Sequence, residues 1–576
     1  MSDKKTGLNL EASIAKSIFL GNFVEENIFP FPKIDGEEAE TLRIVLDSID
    51  KFMDGRFEEF REFDRVGEQP EEYIESLKEL GLFGLIIPEE YGGIGFSNTA
   101  YSRVLQQTSR YDASTSLTIG AHSSIGLKGL VLFGTDEQKQ QYLPKLATGE
   151  MIAAFCLTEP GSGSDAASIS TNAAKQDDGS WVLNGEKIWI TNGPLADFFT
   201  VFARTESENG KISAFIVEKN WEGVSTGPKE DKMGIRASAT SSVFFENVKV
   251  PAENLLGEEG KGFKVAMSIL NSGRTGLGGG CVGAMKACIQ AASRQAVERK
   301  QFGQSISEFG LVKEKITQMT VNCFATESMV SMLGYYIDSG VEDFSVEAAV
   351  SKVFSTEALW NTANEGLQIA AGNGFMREYP YEMVVRDSRI NMIYEGTNEI
   401  LRLYIALSGM KHAGSYLKSV QSNIQNIFND PIKGFGVLTE YAGRKLGFGV
   451  DKLDNVHPKL RDDAEIFERY TTELAKTTET LLKKHGKKII DQQHAMKRVA
   501  NIAIDIVVGS AVLSRVSALL EEGSAEHELE IAHIFSRQAS RRMYDNLRGI
   551  ERNEDSSVNS LSDFITSEEG DLWDTI

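Results

Sequence analysis

The pattern that most constrains the fold is a block of short β-rich runs, residues 151–261, between two long segments with helical periodicity. Turn dipeptides such as Asp178-Gly179, Asn184-Gly185 and Asn209-Gly210 separate several of these runs, which is typical of hairpins. The runs that are rich in β-branched and aromatic residues are 181–183, 187–190, 198–202, 212–217 and 242–245. The block therefore predicts an antiparallel sheet or a small barrel.

The order of periodicities predicts an α+β chain that is mainly α, and 576 residues exceed what a single core ordinarily contains. Phe29-Pro-Phe-Pro marks an early boundary. The expected segments are an N-terminal extension (1–35), a helical N-terminal domain (36–150), a middle β domain (151–261), a helical-bundle domain (262–412), a loop-rich passage (413–462) and a C-terminal helical domain with an acidic tail (463–576).

Composition excludes several classes of protein. A net charge of −23 argues against nucleic acid as a partner, because phosphate binding requires clustered basic residues. The four cysteines form no CxxC pair, and the seven histidines form no metal-binding motif, so we expect reduced thiols and no metal. The N-terminus lacks the features of a signal or transit peptide, and no apolar run is read as a membrane span, so we expect a cytoplasmic protein.

One carboxylate has an unusual setting. Glu395 follows an apolar stretch and precedes Gly396, after which Thr397 and Asn398 are good caps for a helix start. Burial would raise the pKa of this carboxyl and suit it to accept a proton in a dry pocket. The alternative is an ordinary glutamate near a helix N-terminus, and the local pattern alone favours that alternative.

Two further motifs could contact a ligand. The run 155–165 contains glycines and hydroxyls that could face a phosphate or a heteroaromatic ring, although a flexible linker is the alternative. Trp189 ends a predicted strand beside Ile190 and Thr191, where an aromatic is more often part of a core than a cofactor wall.

The glycines of 278–283 match GxGxxG, but no strand precedes them and a helical pattern follows. A nicotinamide site is therefore rejected in favour of close helix packing. Arg299 ends an amphipathic helix, where it could serve the helix dipole or reach a pyrophosphate. The small residues of 368–374 are interpreted as a helix C-cap, 271–274 as a helix interruption with a basic group, and His122 as structural.

Five of these motifs occur in an order that resembles the acyl-CoA dehydrogenase family. They are Glu-Pro-Gly-Ser-Gly-Ser-Asp (159–165), Trp-Ile-Thr-Asn-Gly (189–193), Arg-Lys-Gln-Phe-Gly (299–303), Gln-Ile-Ala-Ala-Gly-Asn-Gly (368–374) and Tyr-Glu-Gly-Thr-Asn-Glu (394–399). The resemblance runs from about residue 25 to the final helices. It includes the C-terminal extension of the very-long-chain members and of their relative that assembles respiratory complex I.

The resemblance implies a fold of helical N-terminal domain, middle β-barrel domain, helical bundle and extra C-terminal helical domain, with FAD as cofactor. The residues expected to bind FAD, carried over by matching motif, are Phe155, Leu157, Thr158, Gly163, Ser164, Trp189, Ile190, Thr191, Arg299, Phe302, Gln368, Ile369, Gly372, Thr397, Asn398 and Glu399. The residues expected to contact acyl-CoA are Ser164, Asn271, Arg274 and Gly396.

By the same resemblance, Glu395 is the catalytic base. It would remove the α-proton of a long-chain acyl thioester while a hydride leaves the β-carbon, giving a trans-2-enoyl-CoA. Electron-transfer flavoprotein would then accept the electrons, and the protein would form a homo-oligomer, with a dimer favoured. An acyl-CoA oxidase and a non-catalytic assembly or scaffold protein are the alternatives.

The region 416–450 mixes apolar and basic residues. In the very-long-chain relatives the corresponding region favours attachment to a membrane surface, which would place this protein peripherally at the inner membrane. A solvated loop or an inter-domain cover is at least as good an interpretation.

Overall fold

The chain before the β domain is helical in the computed structural model, which describes residues 8–205, 211–425 and 452–570, without side chains for 416–425. Side chains cap the starts of four of these helices, at Ser13, Ser97, Asp112 and Thr135. Thr135 and Gln138, for example, form a reciprocal capping box at the start of the ninth helix. The α-helices of this part are α1 (Ile14–Ser17), α2 (Glu25–Ile28), α3 (Gly36–Met53), α4 (Phe57–Val66), α5 (Glu71–Glu79), α6 (Asn98–Ser109), α7 (Ala113–Gly120), α8 (Lys128–Phe133) and α9 (Asp136–Thr148).

The middle of the chain forms an eight-stranded sheet. Its strands are β1 (Ala153–Cys156), β2 (Asn172–Lys175), β3 (Trp181–Thr191), β4 (Phe198–Thr205), β5 (Ile212–Glu218), β6 (Val224–Thr226), β7 (Thr240–Val250) and β8 (Leu255–Leu256). The hydrogen-bonded path is β6-β7-β3-β2-β4-β5-β8, with β1 paired to β4.

The expectation of a purely antiparallel sheet is wrong at two pairings, because β1 and β2 both run parallel to β4. The sheet is therefore mixed. Turn dipeptides predict only local hairpins, such as the β2–β3 pairing. The pairings of β4 with β1 and β2 skip along the chain, and the local pattern does not specify them.

Both faces of β4 are covered. Phe198 and Phe202 join the core that contains the helices before the sheet, whereas Phe199 and Val201 face the core of the β domain itself. Because successive side chains point to opposite faces, a strand buried on both faces is continuously apolar. This arrangement fixes the β domain against the N-terminal helices.

The helical bundle follows the sheet. Its elements are α10 (Gly262–Glu298), the hairpin β9 (Lys300–Gln301) and β10 (Gln304–Ser305), α11 (Gly310–Asp338), α12 (Ser345–Ala370), α13 (Gly372–Phe375), α14 (Tyr381–Arg389) and α15 (Asn398–Gln425). The predicted interruption at 271–274 is wrong, since α10 is continuous over 37 residues.

The glycines of α10 serve close packing, as the sequence predicts. A Cβ added at Gly279 would lie 2.3 Å from the Ser102 carbonyl oxygen, and one at Gly283 would lie 2.0 Å from that of Gln106. Helix α6 therefore approaches the backbone of α10 directly. Tertiary packing stabilises a helix whose intrinsic propensity is low.

The C-terminal part is also helical, with α16 (Arg461–His485), α17 (Gln493–Glu521), α18 (Glu528–Glu551) and α19 (Asp555–Ser567). The predicted acidic tail is a helix as far as Ser567, and it buries none of its residues. The region 416–450, for which membrane contact is one interpretation, lies mostly outside the described residues. The backbone of α15 extends into it to Gln425, so the start of the passage predicted to be loop-rich (413–462) is helical instead.

The chain divides into two compact units. One consists of Met1–Ala12 and Pro30–Ile400, and the other of Ser13–Phe29 and Leu401–Ile576. Two described helical segments, Ala113–Phe133 and Gln493–Glu521, are long and apolar enough to cross a membrane, contrary to our interpretation of the sequence. Both are mostly buried, as core helices are, so their length and composition are weak evidence for a span.

Candidate active site

Glu395 lies in a left-handed turn immediately before α15. The backbone φ angle is +56° at Glu395 and +92° at Gly396, so two consecutive residues occupy a region that suits glycine. For a residue with a Cβ this conformation costs roughly 1–2 kcal/mol. Thr397 then caps the helix, because its Oγ1 accepts from the Ile400 N–H at 3.3 Å. The carboxylate therefore precedes a helix start, as the sequence pattern predicts.

The carboxyl group of Glu395 is buried although the residue is half-buried as a whole. Its Oε2 atom is inaccessible to solvent and accepts no hydrogen bond from any described residue. Burial raises the pKa of this carboxyl, while the positive charges of Arg274 and Lys352 oppose the shift. A buried carboxylate without a donor is free to take a proton from a bound molecule.

Two cations hold the backbone of this turn. The Arg274 guanidinium donates from Nη2 to the Glu395 carbonyl oxygen at 3.2 Å and from Nη1 to Asn271 Oδ1 at 2.6 Å. The Lys352 ammonium donates to the Gly396 carbonyl oxygen at 2.8 Å and to Asn398 Oδ1 at 2.8 Å. Helices α10 and α12 thus each supply a positive charge to one of two successive carbonyl groups.

Of the predicted acyl-CoA contacts, Asn271, Arg274 and Gly396 therefore lie together at the Glu395 turn. The side-chain amide of Asn398 is occupied in a different way. It accepts from Lys352 and donates to Thr356 Oγ1 at 3.0 Å and to Glu357 Oε1 at 3.2 Å. Its side chain is thus committed within the bundle, which leaves its backbone and the neighbouring exposed Glu399 for a cofactor.

The predicted flavin loop between β1 and β2 is anchored at its base. Leu157 is buried, and its carbonyl accepts from Lys187 Nζ at 3.2 Å. The Thr158 carbonyl accepts from the Ile188 N–H at 3.0 Å. Beyond this base Gly163 and Ser164 are exposed, and a Cβ added at Gly163 would meet nothing within 4 Å. The loop therefore has a fixed base and an open tip.

Phe155, at the other end of this motif, packs against the ring of Phe202 with centroids 5.0 Å apart. It is partly buried against the core shared with the N-terminal helices. Its ring therefore has a core role in addition to any contact with a ligand.

Trp189 presents a flat apolar surface at an irregularity in the sheet. Its side chain is 65% exposed, its φ is +56°, and the register between β3 and β7 shifts between Lys187 and Ile190. Ile190 is buried beside it, and Thr191 is half-buried. An exposed indole at a bulge fits a planar aromatic ring such as a flavin.

The remaining predicted cofactor residues lie at the ends of two bundle helices. Arg299 caps the end of α10, and Phe302 follows in the β9–β10 hairpin with φ +52° and 94% exposure. At the end of α12, Gln368 and Gly372 are exposed, whereas Ile369 is buried. An aromatic ring this exposed fits contact with another molecule.

Protein-family models match most of the chain in order. The N-terminal, middle and C-terminal domains of acyl-CoA dehydrogenase match residues 39–150, 154–248 and 260–410, and the ACAD9/ACADV C-terminal domain matches 458–570. The human mitochondrial very long-chain specific acyl-CoA dehydrogenase is 42% identical over 571 residues, covering 96% of this chain and 86% of that protein. The chain belongs to the acyl-CoA dehydrogenase family.

Solved structures agree with this family assignment and confirm the predicted fold class. An acyl-CoA dehydrogenase from Bacillus anthracis complexed with FAD has a TM-score of 0.80 and 32% identity, over 96% of this chain and 94% of that chain. A chain in a structure of the electron transferring flavoprotein of Acidaminococcus fermentans has a TM-score of 0.62 and 36% identity, over 65% and 98%. The acyl-CoA dehydrogenase fold therefore extends here into an additional C-terminal domain.

Sequence reasoning missed Lys352 and the buried pair of Glu159 and Lys187. The signal for Lys352 is present, because it is a lysine within 346–353, where every residue of α12 is buried. A charge in a helix that is otherwise enclosed needs a partner. The partner is 44 residues away along the chain, so the local pattern cannot identify it.

Proposed function

We propose that this protein is an FAD-dependent acyl-CoA dehydrogenase that converts long-chain acyl-CoA to trans-2-enoyl-CoA in fatty-acid β-oxidation. Glu395 takes the α-proton of the thioester, and the β-hydrogen leaves as hydride. When bound, FAD supplies the acceptor for that hydride. The chain itself supplies the base, the orientation of the substrate and a site from which water is excluded.

The observation that supports this proposal most strongly is the carboxyl group of Glu395. It is buried, its Oε2 accepts no hydrogen bond from the described residues, and its backbone is fixed by two cations. Its raised pKa matches a base that must take a weakly acidic proton. A glutamate that only served the helix dipole would be expected to contact the backbone N–H groups of α15.

The residues that would hold the cofactor fall into two groups. The anchored loop from Phe155 to Ser164, together with Trp189, Ile190 and Thr191, would line the ring system. Arg299, Phe302 and the 368–372 segment would take the diphosphate and adenosine side, with Thr397 and Glu399 at the helix start. Trp189 and Phe302 are exposed, which supports contacts of both rings with a bound cofactor or with a second copy of the chain.

Long-chain substrates are favoured by the relatives and by small residues. The human protein that is 42% identical is named for very long acyl chains, and the chain carries the C-terminal domain of the ACAD9/ACADV type. Residues 116–126, in α7 and the π-helix Ala121–Gly126, are mostly small. We propose that these small side chains accommodate a long acyl chain.

We propose electron-transfer flavoprotein as the electron acceptor and a homodimer as the assembly. Phe302 and Phe375, which are 94% and 79% exposed, lie near the ends of α10 and α12 and suit burial against a second copy. We also propose that the protein is cytoplasmic and that the region 416–450 contacts a membrane surface peripherally.

The proposal is tested by anaerobic titration of the purified, FAD-loaded protein with straight-chain acyl-CoAs of increasing length. We expect loss of the oxidised flavin absorbance, fastest with long chains, and no loss in Glu395→Gln. Rapid bleaching of that variant would place the base elsewhere. A colourless protein that takes up no FAD would favour a scaffold function, and peroxide formed at the rate of turnover in air would favour an oxidase.

A further inference from the structure

Lys352 places a positive charge in the interior of the helical bundle. Its side chain is fully buried within α12, where the neighbours Val350, Ser351 and Val353 are buried too. Removing an ammonium from water costs several kcal/mol unless partners compensate. The fold therefore retains this lysine only with specific contacts.

Both described hydrogen bonds of the Lys352 ammonium go to the catalytic turn. They reach the Gly396 carbonyl oxygen and Asn398 Oδ1, each at 2.8 Å. Gly396 follows the proposed base directly and has a φ of +92°. The lysine thus fixes the residue after Glu395, while Arg274 fixes the carbonyl of Glu395 itself.

We propose that Lys352 is a positioning residue for proton abstraction: it holds the left-handed turn in place and keeps the Glu395 carboxylate ionised and ready for substrate. This inference rests on the proposed role of Glu395 as the base. A carboxylate in a dry site would otherwise be neutral, and a neutral carboxyl cannot accept the α-proton.

The charges around Glu395 support this role. Arg274 and Cys281 face it from α10, Lys352 from α12, Tyr101 from α6, and Tyr394 precedes it in the chain. Burial raises the pKa of the Cys281 thiol to about 12 and that of both tyrosines further, so these groups are neutral at physiological pH. Among the groups that the structure describes, the charges that act on Glu395 are then those of Arg274 and Lys352.

Of these cations, Lys352 is the one that titrates in an accessible range. Burial lowers the pKa of its ammonium to about 8. The negative charge of Glu395 opposes this shift, whereas repulsion by Arg274 adds to it. Cys281 and Glu357 favour the charged form as well. An arginine stays charged at every usable pH. The charge that tunes the base is therefore that of Lys352.

Three substitutions separate the two parts of the role. Lys352→Gln retains a donor for the Gly396 carbonyl but removes the charge, Lys352→Arg retains the charge, and Lys352→Met removes both. The matched control is Lys128→Met. Lys128 lies in the same unit, burial lowers the pKa of its ammonium as well, and it donates to Asn98 Oδ1 rather than to the Glu395 turn.

The first measurement is the rate of anaerobic flavin reduction by palmitoyl-CoA as a function of pH. Lys352→Gln and Lys352→Met should shift the acidic limb of the profile to higher pH by about one unit or more, because the positive charge near the Glu395 carboxylate is lost. In Lys352→Arg and in the control Lys128→Met, the acidic limb should stay at the pH at which it lies in wild type. Met should also lower the alkaline plateau by on the order of tenfold, since the turn is displaced.

The second measurement needs no turnover. The infrared carboxyl band that disappears in Glu395→Gln is followed through a pH titration of the protein without substrate. In wild type, its midpoint should lie below that of Lys352→Gln, and the band should shift again near pH 8. If Lys352→Gln does not fold, the shift of the wild-type band near pH 8 decides the matter, because its absence would overturn the inference.

The inference is overturned if the Gln and Met profiles coincide with wild type, or if all variants are slow at every pH while the infrared midpoint is unchanged. A different result would overturn the proposed function instead. If Glu395→Gln reduces its flavin like wild type, Glu395 is not the base, whatever Lys352 does.

Discussion

Glu159 and Lys187 form an ion pair of 2.7 Å inside the β domain, with their side chains 3% and 0% exposed. Glu159 also accepts from Ser170 N and Oγ and from the Thr171 N–H. Burial alone would raise its pKa, but these hydrogen bonds lower it to about 2. Since Lys187 also binds the Leu157 carbonyl, the pair ties together both ends of the loop between β1 and β2.

Removing one member of this pair should loosen the loop. Lys187→Met leaves a buried, unpaired carboxylate, so we expect a loss of about 3–5 kcal/mol of stability and weaker retention of FAD. The double variant Lys187→Met/Glu159→Gln should recover part of the loss. The measurements are thermal unfolding and flavin release on dilution.

Lys175→Met is the control, because Lys175 pairs with Glu259 at the surface and its loss should cost about 0–1 kcal/mol. Equal effects of Lys175→Met and Lys187→Met would show that the buried pair has no special role in the loop.

The left-handed turn predicts a penalty at Gly396. Gly396→Ala forces a Cβ into a φ of +92°, at a cost of roughly 1–2 kcal/mol, and should slow flavin reduction by displacing Glu395. Gly310→Ala is the matched control, since that glycine has no positive φ and its added Cβ meets nothing within 4 Å. Stopped-flow reduction that is equally fast in both variants would contradict a strained catalytic turn.

A buried aspartate predicts a pH-dependent stability. Asp387 accepts from the Ile235 N–H at 2.5 Å, where Ile235 has a φ of +45°. Burial raises the pKa of Asp387 to about 7 against the lowering effect of that bond. An unfolded aspartate has a pKa near 3.9, so between about pH 4 and pH 7 the folded protein binds more protons.

The contribution of Asp387 to the free energy of unfolding should therefore fall as pH rises through that window. Asp387→Asn binds no proton in either state, so the difference in unfolding temperature between wild type and this variant should change with pH in that direction. Asp231→Asn, at an exposed carboxylate, is the control. A difference that is constant from pH 4 to pH 7.5 would contradict the raised pKa.

The exposed ring of Phe302, in the β9–β10 hairpin, predicts that this hairpin is part of the dimer interface. Phe302→Asn removes the ring while asparagine tolerates the positive φ, so the fold should persist while the dimer dissociates more readily and FAD is lost. Ile44→Asn, at another strongly exposed apolar side chain, should leave assembly unchanged. Analytical sedimentation measures the dissociation of the dimer, and the flavin absorbance of the purified protein measures the loss of FAD. An unaltered dimer in Phe302→Asn would remove this hairpin from the interface.

The local structure around Glu395 follows from the sequence because it lies at the boundary of a helix. The helix start after Glu395 and the cap at Thr397 depend on neighbours along the chain. The continuity of α10 through 271–274 did not follow, because packing against α6 overrides the low propensity of its glycines.

Lys352 and Lys187 were missed for a related reason. Each makes its defining contacts with residues 28 to 46 positions away, and such pairs appear only once helices and strands are assembled. The positive φ of Glu395 also depends on those contacts rather than on its own residue type.

The membership of Ser13–Phe29 in the second unit has a consequence for synthesis of the chain. Phe19 packs so close to Gly409 that an added Cβ there would lie 2.3 Å from its ring, and the Ile28 carbonyl accepts from the Ser514 hydroxyl. These apolar residues leave the ribosome hundreds of residues before the helices that cover them. During translation the apolar surface of Ser13–Phe29 therefore stays uncovered until Leu401–Ile576, the rest of the second unit, has been synthesised.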